Sequence, residues 1–384
     1  MRLPLRRLLV LGTLLAASAV PATLPAQDEP DEDRPPSHWA LNLTVGGTGL
    51  SIGNSARVNG LRINWSDRDL ERVNGVNFTI WKPDRHLSGV VNGAAIGVVG
   101  PGAEEINGFA FGLGGVVAER RISGLAIGGL GLVSNGDIRG IGVAGLGTVA
   151  NRDLIGIGVA GLGTVANGSI RGFSFAGLGA VANRDISGIA IAGLGAVANH
   201  DVRGIAISGL GTVANGDFVG LSFAGVGSVA NGSLRGVSIG GIAAVVNGSA
   251  RGVLVSGIAS VVNGDARWVL LSGVASVVNG DFRGFAFAGG AIVSDRSLRG
   301  ALVTVGETRA RRVAGFNVSG YLRTWTFTGL GVGVYNRVRG RQTGLTIGIV
   351  NYARELRGFQ LGLINIAGNN RGLAKVLPIV NAHL

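Results

Sequence analysis

The sequence predicts an all-β fold, a repeat β-solenoid with coils of about 16 residues, and three observations predict it. GIGVAGLGTVAN occurs at residues 140–151 and again at 156–167, twelve residues unchanged at a step of sixteen. Glycine keeps that step from Gly108 to Gly300, missing only at Trp268. Ten asparagines share a single phase: Asn135, Asn151, Asn167, Asn183, Asn199, Asn215, Asn231, Asn247, Asn263 and Asn279.

The chain opens with Arg2, Arg6 and Arg7, a short apolar run from Leu8 to Val20, and small residues up to Ala26. This is the layout of a secretory signal peptide, so 1–26 is set aside from the fold. Residues 27–39 form an acidic, proline-broken linker (DEPDEDRPP). Removing the first 26 residues leaves 31 basic and 22 acidic residues, and lysine occurs only at Lys82 and Lys375. With no cysteine, disulfides and thiolate metal sites are excluded. Glycine at 70 of 384 residues with 46% hydrophobic residues fits neither collagen nor a disordered tract. Past the signal no run of about 18 apolar residues remains to cross a membrane as a helix.

Divergent repeats fill 40–107, led by Gly60, Gly75 and Gly89. Twelve 16-residue units occupy 108–299. Shorter repeats of about 14 residues, led by Gly315, Gly329, Gly344, Gly358 and Gly372, fill 300–384 together with a cap. With the leading glycine as position 1, positions 2 and 4 are bulky and apolar, whereas 3 and 5 are mostly Ala, Gly or Ser. That alternation is a strand with one bulky and one nearly bare face, and burial of the bulky side chains is expected to form the core. Positions 12 to 14 (NRD, NGS, NGD, NHD) carry turn chemistry. Stacked coils would join the asparagine amides into a ladder, each donating to the next carbonyl oxygen. One unit cannot close its own core, so each copy serves as the template for its neighbour.

An antiparallel outer-membrane β-barrel is the alternative, because NG turns between alternating strands also suit hairpins. Barrels carry aromatic girdles and bulky lipid-facing residues. Here aromatic residues are 5%, and long loops between units are missing.

GLTIGIVN (344–351), GFQLGLIN (358–365) and PIVN (378–381) at the tail, with NGLRINW (59–65) and NGVNFTIW (74–81) at the head, resemble a family of bacterial surface repeat-containing proteins. That family is built from Gly-aliphatic-Gln-aliphatic-Gly-aliphatic-aliphatic-Asn segments. GIAIAGLGAVAN (188–199) is more weakly similar to the β-roll heads of trimeric autotransporter adhesins, whose stalk and anchor are absent here. The first resemblance implies a cell-surface, outer-membrane or periplasmic location for an exported chain, and no reaction. The expectation is therefore a non-enzymatic structural or interaction protein, adhesin-like, with a membrane-integrated barrel or pore as the alternative.

Candidate chemistry is sparse. His38, His86, His200 and His383 share no repeat phase, so neither a metal nor a cofactor is expected. Aspartates at position 14 lack the GGxGxD spacing of calcium-binding β-rolls. Position 16 carries Arg235, Arg251, Arg267, Arg283 and Arg299 in consecutive coils, read first as a solvated edge partly paired with the aspartates two residues earlier, with an edge for an envelope polyanion as the alternative. Export and the scarcity of interleaved aromatic residues argue against nucleic acid.

Overall fold

The computed structural model describes residues 39–46 and 48–384. The signal peptide and nearly all of the linker lie outside the described residues. The described chain is a parallel β-solenoid containing no α-helix. Each central unit supplies a long strand, such as Leu154–Ala160, and a short one, such as Gly163–Ala166. Each strand pairs in parallel with its own copies sixteen residues away. Leu154 lies between Ile138 and Ile170, and Gly163 between Gly147 and Gly179. A barrel needs antiparallel pairing between neighbours in sequence, so the barrel alternative is overturned.

The phase-1 glycine sits inside the long strand with φ between +115° and +145° from Gly124 to Gly300, a region open to glycine and strained for other residues. A Cβ built on Gly204 would lie 2.1 Å from the carbonyl oxygen of Gly188 one coil earlier. The column is therefore glycine for two reasons at once, dihedral angle and closeness of neighbouring coils. Strand alternation runs straight through it, so positions 16 and 2, two residues apart, both face outward.

The observed side-chain directions invert the expected core. Residues at positions 3, 5, 9, 11 and 15 point inward; those at 2, 4 and 7 point out. Ala190, Ala192, Ala196, Ala198 and Val202 are buried, whereas Ile189 is 37% and Leu194 47% exposed. The bare face goes inside, where its small side chains fill the narrow interior of the coil. Volume is balanced within each coil. Large Leu154 at position 15 faces Gly158, where an added Cβ would lie 2.7 Å from Leu154 Cδ1. Where position 15 shrinks to Ala250 or Ala266, position 3 grows to Leu254 or Leu270, all four buried. Inward hydroxyls pair with one another, as in Ser208 with Thr212 and Ser222 with Ser228, both at 2.9 Å.

The flanks depart from the sequence expectation at two glycines. Gly93, not Gly89, continues the column, pairing with Gly75 and Gly108; residues 80–89 form an insertion. Gly372 leaves the column and opens a short 3-10 turn, Gly372–Lys375. The last strand, Val376–His383, then runs back antiparallel against Glu307–Ala367. At the other end Ala40–Val45 is antiparallel to Thr48–Gly53. A reversed strand thus terminates the parallel stack at both ends.

Candidate interaction surfaces

The ten phase-12 asparagines form one line of side-chain hydrogen bonds on the outside of the turn. Asn215 Nδ2 donates to Asn199 Oδ1 at 3.1 Å, and Asn231 Nδ2 donates to Asn215 Oδ1 at 2.8 Å. The same bond joins each neighbouring pair from Asn135 to Asn279. The amide plane repeats at the coil spacing of about 4.8 Å, which is what a ladder needs. These side chains are exposed, so loss of one exposes no buried orphan. Asn135 is not a weak end, because its amide donates to Glu119 at 2.7 Å. The weak end is Asn279: the next residue in its column is Asp295, which has no N–H to offer. Asn215→Leu is expected to cost about 1 kcal/mol and Asn279→Leu about half that, read from the urea midpoints of both variants. Equal shifts would sink the idea that the ladder stabilises by stacking.

Beside this ladder the aspartates bond to backbone. Asp153 Oδ1 accepts from the Ser169 N–H at 2.8 Å and Asp217 Oδ1 from the Ser233 N–H at 2.7 Å, each one coil onward. At Asp137, burial pushes the carboxyl up, but the Asp153 N–H, Arg139 and Arg152 outweigh it and the net pKa is lowered.

The arginines of position 16 stack in register, Arg235 on Arg251, then Arg267, Arg283 and Arg299, and all five are exposed. Earlier members of the row are paired: Arg139 with Asp137 at 2.8 Å and Arg203 with Asp201 at 2.6 Å. Among the described residues none of the last five makes an ion pair. Arg267, Arg283 and Arg299 line a shallow groove of about 160 Å³ with Asp265 and Asp281, so this edge carries both signs of charge.

Sequence reasoning missed three features. One is the outward direction of the bulky rows. A second is a buried polar cluster in the first coils. Arg62, 0% exposed, donates to Asp67 Oδ1 at 2.9 Å, and the carboxylate also accepts from Asn64, Asn77, Thr79 and the Gly102 N–H at 2.8–3.0 Å. Burial lowers the Arg62 pKa from its ordinary value, opposed by Asp67. Nothing in a local window joins residues 62, 67, 77 and 102; the coil register does.

The third is a change of surface in the C-terminal coils. There the short-strand face that reads Ala275, Val277, Asn279 becomes Tyr321, Arg323, Trp325 and then Tyr335, Arg337, Arg339. The signal was available as Y-x-R-x-W and Y-x-R-x-R at a step of fourteen, but the shortened period hid its phase. Tyr321 and Tyr335 stack face to face, centroids 5.1 Å apart and planes within 9°. Arg337, beside these rings, has its pKa raised by the Tyr321 hydroxyl first and by the other tyrosines second.

Among the described residues no three His, Asp or Glu side chains converge as a metal site. No family model matches the chain, and neither does a curated protein or a solved structure.

Proposed function

We propose that this chain is an exported, non-enzymatic interaction protein of the bacterial cell surface, held against the outer membrane or another apolar partner along its outward rows. The observation carrying this reading is the inversion of the core. Ile141, Ile157, Leu162, Leu178, Phe175 and Phe287 are each 40–48% exposed, in rows that continue from coil to coil. A continuous apolar surface of this extent marks a face that is covered in use. The adjacent arginine row supplies cations beside the apolar face, as interfacial membrane segments do. The amino-terminal signal layout and the surface-repeat resemblance support export.

The test is fractionation of the native protein and of a variant with Leu162, Leu178, Leu194 and Leu210 changed to Ser. The native chain is expected in the envelope fraction and released by detergent. The variant is expected to shift to the soluble fraction with its β spectrum unchanged. A native chain that is wholly soluble and monomeric without detergent overturns the reading.

A further inference from the structure

From the C-terminal coils we infer that the chain binds an extended anionic polysaccharide, laid along the solenoid axis over the face formed by Arg309, Arg311, Arg323, Arg337, Arg339 and Arg354. Binding follows from the face itself; the choice of a glycan over a nucleic acid rests on the export reading above.

The charge is concentrated, with arginine far in excess of acid. Residues 309–357 contain nine arginines and one acidic residue, Glu355. Glu355 pairs with Arg341 at 3.0 Å and Arg357 at 3.3 Å. Among the described residues, none of the six face arginines has a carboxylate partner.

The register shows how the face arises. Val293 is followed in its column by Arg309, and Asn279 by Asp295. Arg309, Arg311, Arg323 and Arg339 then line one shallow groove of about 300 Å³ with Asp295 and Trp325. The valine column beside the asparagine ladder thus gives way at Arg309 to arginine, and arginines in neighbouring coils repel one another at the coil spacing of about 4.8 Å. Like charges so placed oppose stacking, so this substitution serves something other than the rod. A bound polyanion removes the repulsion.

The aromatic residues specify the ligand further. Tyr321 and Tyr335 form a flat stacked pair beside the arginine column, and Trp325 lies within the groove, 56% exposed. The tyrosine faces cover each other and leave ring edges and hydroxyls for sugar hydroxyls, the exposed Trp325 ring suits a pyranose face, and guanidinium forks suit carboxylate or sulfate groups on those sugars. One coil rises by about the length of one sugar unit in an extended chain, so successive rows meet successive residues. The mixed-charge edge from Arg235 to Arg299 has arginines but no stacked pair of rings among the described residues.

The experiment is calorimetric titration of the purified full chain with polygalacturonate, neutral dextran and a single-stranded oligonucleotide at low and moderate salt. Polygalacturonate is expected to bind, and dextran not. Changing Arg323, Arg337 and Arg339 to Gln is expected to weaken polygalacturonate on the order of tenfold or more. Tyr321→Ala with Tyr335→Ala should weaken it several-fold at unchanged charge, with about the same salt dependence. A control with Gln at the five position-16 arginines is expected to keep its affinity, its circular dichroism confirming the fold. No binding of polygalacturonate at low salt, undiminished binding in the arginine variant, an unaffected tyrosine variant, loss in the position-16 control, or tighter binding of the oligonucleotide would each overturn the inference. A purified chain that binds as expected yet fractionates away from the envelope would sink the proposed location and leave this site standing.

Discussion

Asp67→Ala is expected to open the N-terminal coils. The substitution leaves Arg62 charged, fully buried and without its carboxylate, at a cost of about 3–5 kcal/mol. It also removes the acceptor shared by Asn64, Asn77, Thr79 and the Gly102 N–H. In a repeat rod the coils contact only their neighbours, so the loss stays local. Amide hydrogen exchange should accelerate over residues 58–102 and remain slow beyond about residue 140. The double change Asp67→Ala with Arg62→Met should recover part of the loss, since it removes the stranded charge. Unaltered exchange in the single variant would mean that the cluster does not hold these coils.

The second large effect concerns the glycine column, which contains its own experiment. At Trp268 the backbone adopts φ +99° with a side chain present, and Gly252 and Gly284 on either side have widened to +144° and +145°. The neighbours absorb what the tryptophan cannot. Such a conformation costs a non-glycine residue about 1–3 kcal/mol. Trp268→Gly is therefore expected to raise stability by an amount in that range, since the indole is 66% exposed and contributes little burial. Gly204→Ala is expected to lower it by at least as much, because its Cβ would press on the Gly188 carbonyl in a column that has not adjusted. Thermal midpoints of the two variants should move in opposite directions. Movement in the same direction would show that the column's geometry is not what glycine serves.

Period, turn chemistry and the asparagine phase were legible in the sequence because each is a property of spacing. The sense of the sheet was not. Alternation at positions 2 to 5 says that two faces differ, but which one is buried depends on how far apart two sheets of one coil stand. Large Leu154 and bare Gly158, on one strand, share the space within the coil. Gly89 was misplaced because an insertion delays the column to Gly93. Gly372 was misplaced because the chain reverses after Ala367. The arginine and tyrosine face stayed hidden because its members are fourteen residues apart in sequence and become neighbours only after the coils are stacked.

Interchangeable coils separate the length of the molecule from its fold. Residues 140–151 and 156–167 are identical, and each strand's partners lie sixteen residues away on both sides. Excising one unit from this region would leave every remaining residue facing a neighbour of the same kind. A tandem duplication would do likewise. Such chains would differ in reach by increments of one coil, about 4.8 Å, while both reversed end strands and the arginine face kept their form. The repeat array is in this sense a ruler whose graduations are copied in the gene, and its span is open to selection by recombination alone.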